Sequence, residues 1–178
     1  MKRRFGSARA SYMGLALCAA LLGTGCQHVA AEESKEEAMK EAKVQTAPSP
    51  VRLNRDKIAG VDLPAGEAFI APEDVLEGSH RPRGEMLYHG KELIMEIYED
   101  DAATYAVTDP FPFDEFVWVL SGKLILTDAR GQVHEFVAGD SLVVPKGFTG
   151  TWKMLGNYRE LIAVGTAAYE KAFAAEEE

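Results

Sequence analysis

From about Leu53 onward the chain is a succession of apolar runs of four to six residues separated by Gly, Pro and Asp, with no stretch at helical spacing. That texture restricts the domain to an all-β fold. Nine strands are expected, at residues 86–89, 93–98, 103–108, 116–120, 123–127, 132–136, 141–144, 150–154 and 159–164. Ser121-Gly122 and Ala129-Arg130-Gly131 read as tight hairpin connections, and Pro145-Lys146-Gly147 as a corner. Nine short strands at regular intervals predict a jelly roll or barrel. No internal repeat is visible, so the expectation is a single barrel at 85–166, preceded by an arm at 53–84 and followed by a short helix or acidic tail at 167–178.

The segment before the domain has a different character. Lys2, Arg3, Arg4 and Arg9 are followed by eleven apolar or small residues at 12–22 and then by Gly23-Thr24-Gly25-Cys26. Eleven residues are too few for a permanent span, which needs about 20, so an export signal at 1–25 that is cleaved is expected. The pattern resembles a bacterial lipoprotein signal, which implies Cys26 as the lipid-attachment residue and new N-terminus. Gly23 stands where such signals usually place Leu, and plain secretion is the alternative. Residues 26–52 then form a tether, with the charged run Glu32-Glu33-Ser34-Lys35-Glu36-Glu37 and the closing Pro48-Ser49-Pro50 giving no apolar face to dock. In a Gram-negative cell, Gln27 after the cysteine implies the outer membrane, with the domain facing the periplasm. Of the two cysteines, Cys18 leaves with the signal and Cys26 is acylated, so no disulfide is expected.

Charge narrows the partners. Four of the 19 basic residues lie in the first 25, so the rest carries 15 against 28 acids, a net charge of −13. Such a surface repels phosphate backbones, and no nucleic acid is expected as a partner.

Glu115 and Gly122, with six residues between them, and Gly139, Pro145 and Gly147 in the second stretch resemble the two signatures of the cupin superfamily. The run Phe148-Thr149-Gly150-Thr151-Trp152 is similar to the subgroup that holds ureidoglycine aminohydrolase and the ethanolamine-utilisation cupins. The resemblance covers roughly 88–164 and implies a single cupin jelly roll. It also implies a homodimer, since cupin barrels often exchange strands. Many cupins hold a catalytic metal through three histidines and the glutamate. Projected onto this chain, the paired histidines fall at Asp109 and Phe111 or at Thr108 and Pro110, and the third at Gly150. Of that ligand set Glu115 remains, with Asp109 as a second carboxylate. Two oxygens without imidazole make a weak site, so neither metal nor cofactor is expected.

Glu115 then needs another role inside a barrel: an ion pair or hydrogen bond, a protonated state, or a water-filled pocket where it anchors a ligand or acts as general acid/base. Strand alternation places Trp152 and Met154 on the same side as Gly150, and Tyr105 and Val107 on the same side as Asp109. Tyr98 and Glu96 share a face whose direction the sequence leaves open. Glu115, Trp152, Tyr105, Asp109 and Tyr98 are therefore the candidate ligand-binding residues, with Glu115 the candidate catalytic one. Phe116, Trp118 and Leu120, of opposite parity to Glu115, are expected under the N-terminal segment or at a subunit contact. Arg81-Pro82-Arg83 is expected in a solvated loop, or pairing with the acidic surface or a ligand carboxylate.

The leading expectation is a membrane-anchored periplasmic cupin that binds a small polar molecule without metal, as a binding or sensory accessory. An enzyme of the ureidoglycine aminohydrolase type and a structural module with a filled barrel are the alternatives. An interior packed shut by Trp152, Tyr105 and Met154 favours the last.

Overall fold

The computed structural model describes residues 48–174; the signal segment, Cys26 and most of the tether lie outside the described residues. From Leu53 the described chain is one compact unit. It contains α1 (Arg55–Ile58), a 3-10 turn (Pro72–Asp74), β1 (Val75–Gly78), β2 (Arg83–His89), β3 (Leu93–Asp100), β4 (Ala103–Val107), β5 (Glu115–Asp128), β6 (Val133–Val137), β7 (Ser141–Val144), β8 (Gly150–Gly165) and α2 (Thr166–Ala174). Among the described residues no helix is long and apolar enough to cross a membrane.

All strand pairings are antiparallel, and the two long strands organise them. The first part of β8 (150–154) lies between β4 and the end of β5, with β1 beyond β4 and β6 beyond β5. The second part (158–165) lies between β3 and the start of β5, with β2 beyond β3 and β7 beyond β5. Two five-stranded layers thus share two bent strands, the arrangement of a jelly roll.

The bend corrects the sequence expectation at one point. Residues 116–120 and 123–127 are one strand, as are 150–154 and 159–164. Ser121-Gly122 is an irregularity inside β5, where the register with β8 shifts, and the Ser121 hydroxyl donates to the Asn157 carbonyl at 2.7 Å. Gly122 has φ +73°, and a Cβ there would sit 2.6 Å from the Leu155 carbonyl oxygen. A positive-φ glycine serves a bulge as well as a hairpin, and sequence does not separate the two. The other two turns form as expected: Asp128 donates its N–H to Gln132 O around Gly131, and Phe148 donates to Pro145 O. β1, which pairs with β4, had no sequence signal; Val-Leu-Glu-Gly is too short to alternate visibly.

Alternation along β5 is clean. Glu115, Val117 and Val119 are fully buried, whereas Phe116 and Trp118 are 41% and 43% exposed. The expectation that the N-terminal segment covers these two aromatics is therefore corrected: the arm lies over the neighbouring β3 and β8 instead. There Lys57 pairs with Glu85, and Gly60 passes so close to Arg159 and Glu99 that a Cβ would collide with the guanidinium. Asn54 starts α1 by accepting from the Asp56 and Lys57 amides. Beneath this arm Ile97 and Leu161 are buried although they point away from the main core. Arg83 pairs with Glu99 and Asp101, which places the basic cluster on the acidic flank of β3. The main core joins both layers through Tyr105, Val107, Leu124, Trp152, Val117 and Ile162.

Candidate functional site

The interior is acidic. The parity of β3 turns Glu96, Tyr98 and Asp100 inward, β5 contributes Glu115, and β8 contributes Tyr158 and Glu160. Register brings them side by side: Tyr98 lies opposite Glu160, Asp100 opposite Tyr158, and Glu160 opposite Val119 on its other flank. Among the described residues no Lys or Arg is buried, so these four inward carboxylates share their space with phenols and one histidine. A buried carboxylate is costly unless hydrogen bonds replace its water.

Asp100 shows how that cost is met. Its Oδ2 accepts from His80 Nδ1 at 2.7 Å and from the hydroxyls of Tyr98 and Tyr105 at 2.8 Å each. Its Oδ1 accepts from the Arg81 amide at 2.9 Å and the Asp101 amide at 2.8 Å. The Phe69 amide donates to His80 Nε2 at 3.2 Å, which fixes the ring as the Nδ1–H tautomer. Phe69 also packs edge-on against the imidazole, with centroids 4.5 Å apart. Burial is the largest influence on the Asp100 carboxyl and pushes its pKa up. The donors from His80, Tyr105, the Arg81 backbone and Tyr98 together outweigh it and hold the group below its ordinary 3.8. Burial, then the Asp100 hydrogen bond, pushes the Tyr105 hydroxyl far above its usual range. This cluster clamps the arm onto β3 and β4.

The second cluster adjoins the first across the β3–β8 pairing, where Tyr158 lies opposite Asp100 and Glu160 opposite Tyr98. Tyr158 donates to Glu160 Oε2 at 2.5 Å; burial, then the Glu160 charge, raises its pKa well above 10, and the Glu115 charge adds to the effect. Glu96 accepts from Tyr169 of α2 at 2.7 Å. Carboxylates and phenols in such proximity can accept hydrogen bonds from a ligand or pass it a proton.

Of the residues singled out in the sequence, Glu115, Tyr98, Tyr105 and Trp152 are all buried in the interior, but they do not converge on one point. Tyr98 and Tyr105 meet at Asp100, and Trp152 stacks on Phe111 with centroids 6.2 Å apart. Asp109 is exposed, which corrects its assignment to the interior: β4 ends at Val107, and the alternation does not continue past it. Trp152, Tyr105 and Met154 belong to the packed core, so that end of the interior is filled.

The residues present do not fit the metal that many cupins carry. A buried Phe111 occupies one projected histidine position. At Gly150, where the third histidine projects, φ is +142° and a Cβ would lie 1.9 Å from the Thr127 carbonyl oxygen, so no side chain fits. Among the described residues no three of His, Cys, Asp and Glu are grouped to hold a metal.

Residues 100–159 match the family described as the EutQ-like cupin domain. A DUF861-family protein of unknown function from Pseudomonas syringae pv. tomato DC3000 superposes with TM-score 0.52 at 18% identity, over 57% of this chain and 43% of that one. The fold is that of a cupin. Other solved structures are looser matches. They include a putative ethanolamine utilization protein Q from Salmonella typhimurium LT2 (TM-score 0.44, 23% identity, 49% of this chain and 72% of that one). The polyketide cyclase RemF from Streptomyces resistomycificus gives TM-score 0.48 at 16% identity, over 66% and 80% of the two chains. The search of curated proteins found no match.

Within this fold the sequence gives no direct sign of His80, Asp100, Tyr158 and Glu160 as interior polar residues. Parity gives Glu160 a detectable signal, because Val164, Ile162, Glu160 and Tyr158 alternate inward. His80 gave none. It lies in a loop, twenty residues from the carboxylate it binds.

Proposed function

We propose that this is a lipid-anchored cupin, outside the cytoplasm on the outer membrane and facing the periplasm, that binds a small donor-rich molecule without metal as a binding or sensory accessory. The observation that carries the reading is the gathering of the inward carboxylates Glu96, Glu115 and Glu160 with the phenols of Tyr158 and Tyr169 in one interior. Amines, amides and ureido compounds offer the matching donors, whereas carboxylates and phosphates are repelled. Trp152 and Tyr105, packed in the core, support the wall of the site rather than touch the ligand. The same packing favours the rival reading, a filled barrel that acts as a structural module.

A thermal-shift panel separates the two. Amine and ureido compounds are expected to stabilise the protein saturably, anions and manganese, iron, zinc or nickel to leave it unchanged, and Glu115→Gln to abolish the donor response. A panel with no responder leaves the structural module. A response to metal overturns the metal-free reading, and turnover of a ureido compound lost in Glu115→Gln makes the protein an enzyme with Glu115 as acid/base.

Anchoring is tested separately by fractionation. Wild type is expected in the outer-membrane fraction, and Cys26→Ser in the soluble periplasmic one, because several acyl chains at roughly 0.8 kcal/mol per buried methylene hold a protein that none would hold. Equal partitioning of the two rejects the anchor.

A further inference from the structure

Helix α2 closes the end of the barrel at which Glu96 lies. Its first residue is pinned: Thr166 is buried, donates its hydroxyl to Gly90 O at 2.8 Å and its amide to Glu92 O at 3.2 Å. Beyond that pin Tyr169, Ala172 and Phe173 are the residues that pack against the core. Tyr169 and Phe173 are half-buried, Ala167, Ala168, Glu170 and Lys171 are exposed, and Glu170 meets His89 in an exposed pair at 3.2 Å.

The inward contacts of α2 are those of a ligand. The Tyr169 hydroxyl donates to Glu96, a buried acid of β3. Its ring lies nearly parallel to Phe113, with centroids 6.1 Å apart and planes at 21°, and Phe173 covers it at 4.6 Å. Phe113 continues edge-on to Phe111 and so to Trp152. An aromatic wall with a carboxylate acceptor is thus filled by a p-hydroxyphenyl group from the chain itself.

We infer that Tyr169 is an internal ligand, and that the mouth formed by Glu96 and Phe113 takes a small aromatic molecule bearing a hydroxyl or amine donor when α2 frays. A helix of nine residues is marginal without its tertiary contacts, and fraying from its far end back to Thr166 uncovers Glu96 without disturbing the sheet. The closed state lowers the apparent affinity by the fraction of time the mouth is open. This inference rests on the donor-binding reading above and names the ligand class and the gate.

The test uses the full chain and p-cresol, the tyrosine side chain as a free molecule. Amide exchange comes first: α2 beyond Thr166 is expected to exchange at least about a hundredfold faster than β8, since opening free energies span the range from near zero to global unfolding. Calorimetric titration is then expected to give about tenfold tighter p-cresol binding to Phe173→Ala, or to Tyr169→Phe if the former does not fold, and loss of that gain when Glu96→Gln is added. Exchange in α2 as slow as in β8 overturns the gate, and equal p-cresol affinity in wild type and the released variants overturns the ligand class. A donor panel indifferent to Glu115→Gln sinks the underlying reading instead, without touching the exchange rates.

Discussion

Asp100→Ala is expected to be the most destabilising single carboxylate substitution in the domain, lowering stability by about 3–5 kcal/mol and the melting temperature by about 10 °C or more. The substitution leaves the hydroxyls of Tyr98 and Tyr105, the His80 Nδ1–H and two backbone amides facing a gap in a site where the carboxylate is fully buried. Each orphaned donor costs on the order of 1–3 kcal/mol before relaxation, and water entering the gap recovers part of that. The arm should loosen with it, because His80 and Arg81 are held to β3 through this carboxylate. Chemical denaturation measures the loss. A change below about 1 kcal/mol would show that the cluster does not carry the arm.

The same group sets a pH dependence. Its pKa is depressed in the folded state below the ordinary 3.8, so its stabilisation is fully present above about pH 4 and fades as pH falls through the folded value. The advantage of wild type over Asp100→Asn is therefore expected to be constant near neutrality and to shrink only in that acid range.

Gly150→Ala is the second. The added Cβ would stand 1.9 Å from the Thr127 carbonyl oxygen of the paired strand, at a φ of +142° that side-chain-bearing residues avoid. Backbone cannot step aside as a flexible side chain does, so the loss should be about 3 kcal/mol or more, with poor recovery of folded protein. A variant of near wild-type melting temperature would mean that β5 and β8 are spaced more widely there. Gly150→His, the substitution that would restore the third histidine of the family pattern, is expected to fail by the same clash. The site cannot be returned to metal binding by side chains alone.

These two residues also show how unequal the legibility of the chain was. Gly150 stood in the sequence as a position where the family pattern wants a histidine. Its closeness to Thr127 is a fact of strand pairing that no spacing along the chain records. Asp100 carries no signal along the chain, because its donors come from residues 80, 81, 98, 101 and 105, of which Arg81 and His80 reach it by a turn of the arm. Asp109 is the opposite case: alternation along the chain points it inward, but β4 ends at Val107 and the residue is exposed.

What the sequence determined by itself was what depends on neighbours along the chain. Period-two alternation put Glu115 on the face opposite Phe116 and Trp118, and Trp152 and Met154 on one face together, because side chains in a strand point to opposite sides whatever the strand pairs with. Glycine and proline marked the turns at 129–131 and 145–147, because few other residues adopt their backbone angles. What only the tertiary structure decided was where separate strands place their side chains relative to one another. That includes the bends that merge four expected strands into β5 and β8, and the acids of β3, β5 and β8 gathered in one interior. It also includes the helix whose tyrosine closes that interior. Register and layer packing are fixed by the summed burial of residues far apart in the chain, and a local pattern carries no term for that sum.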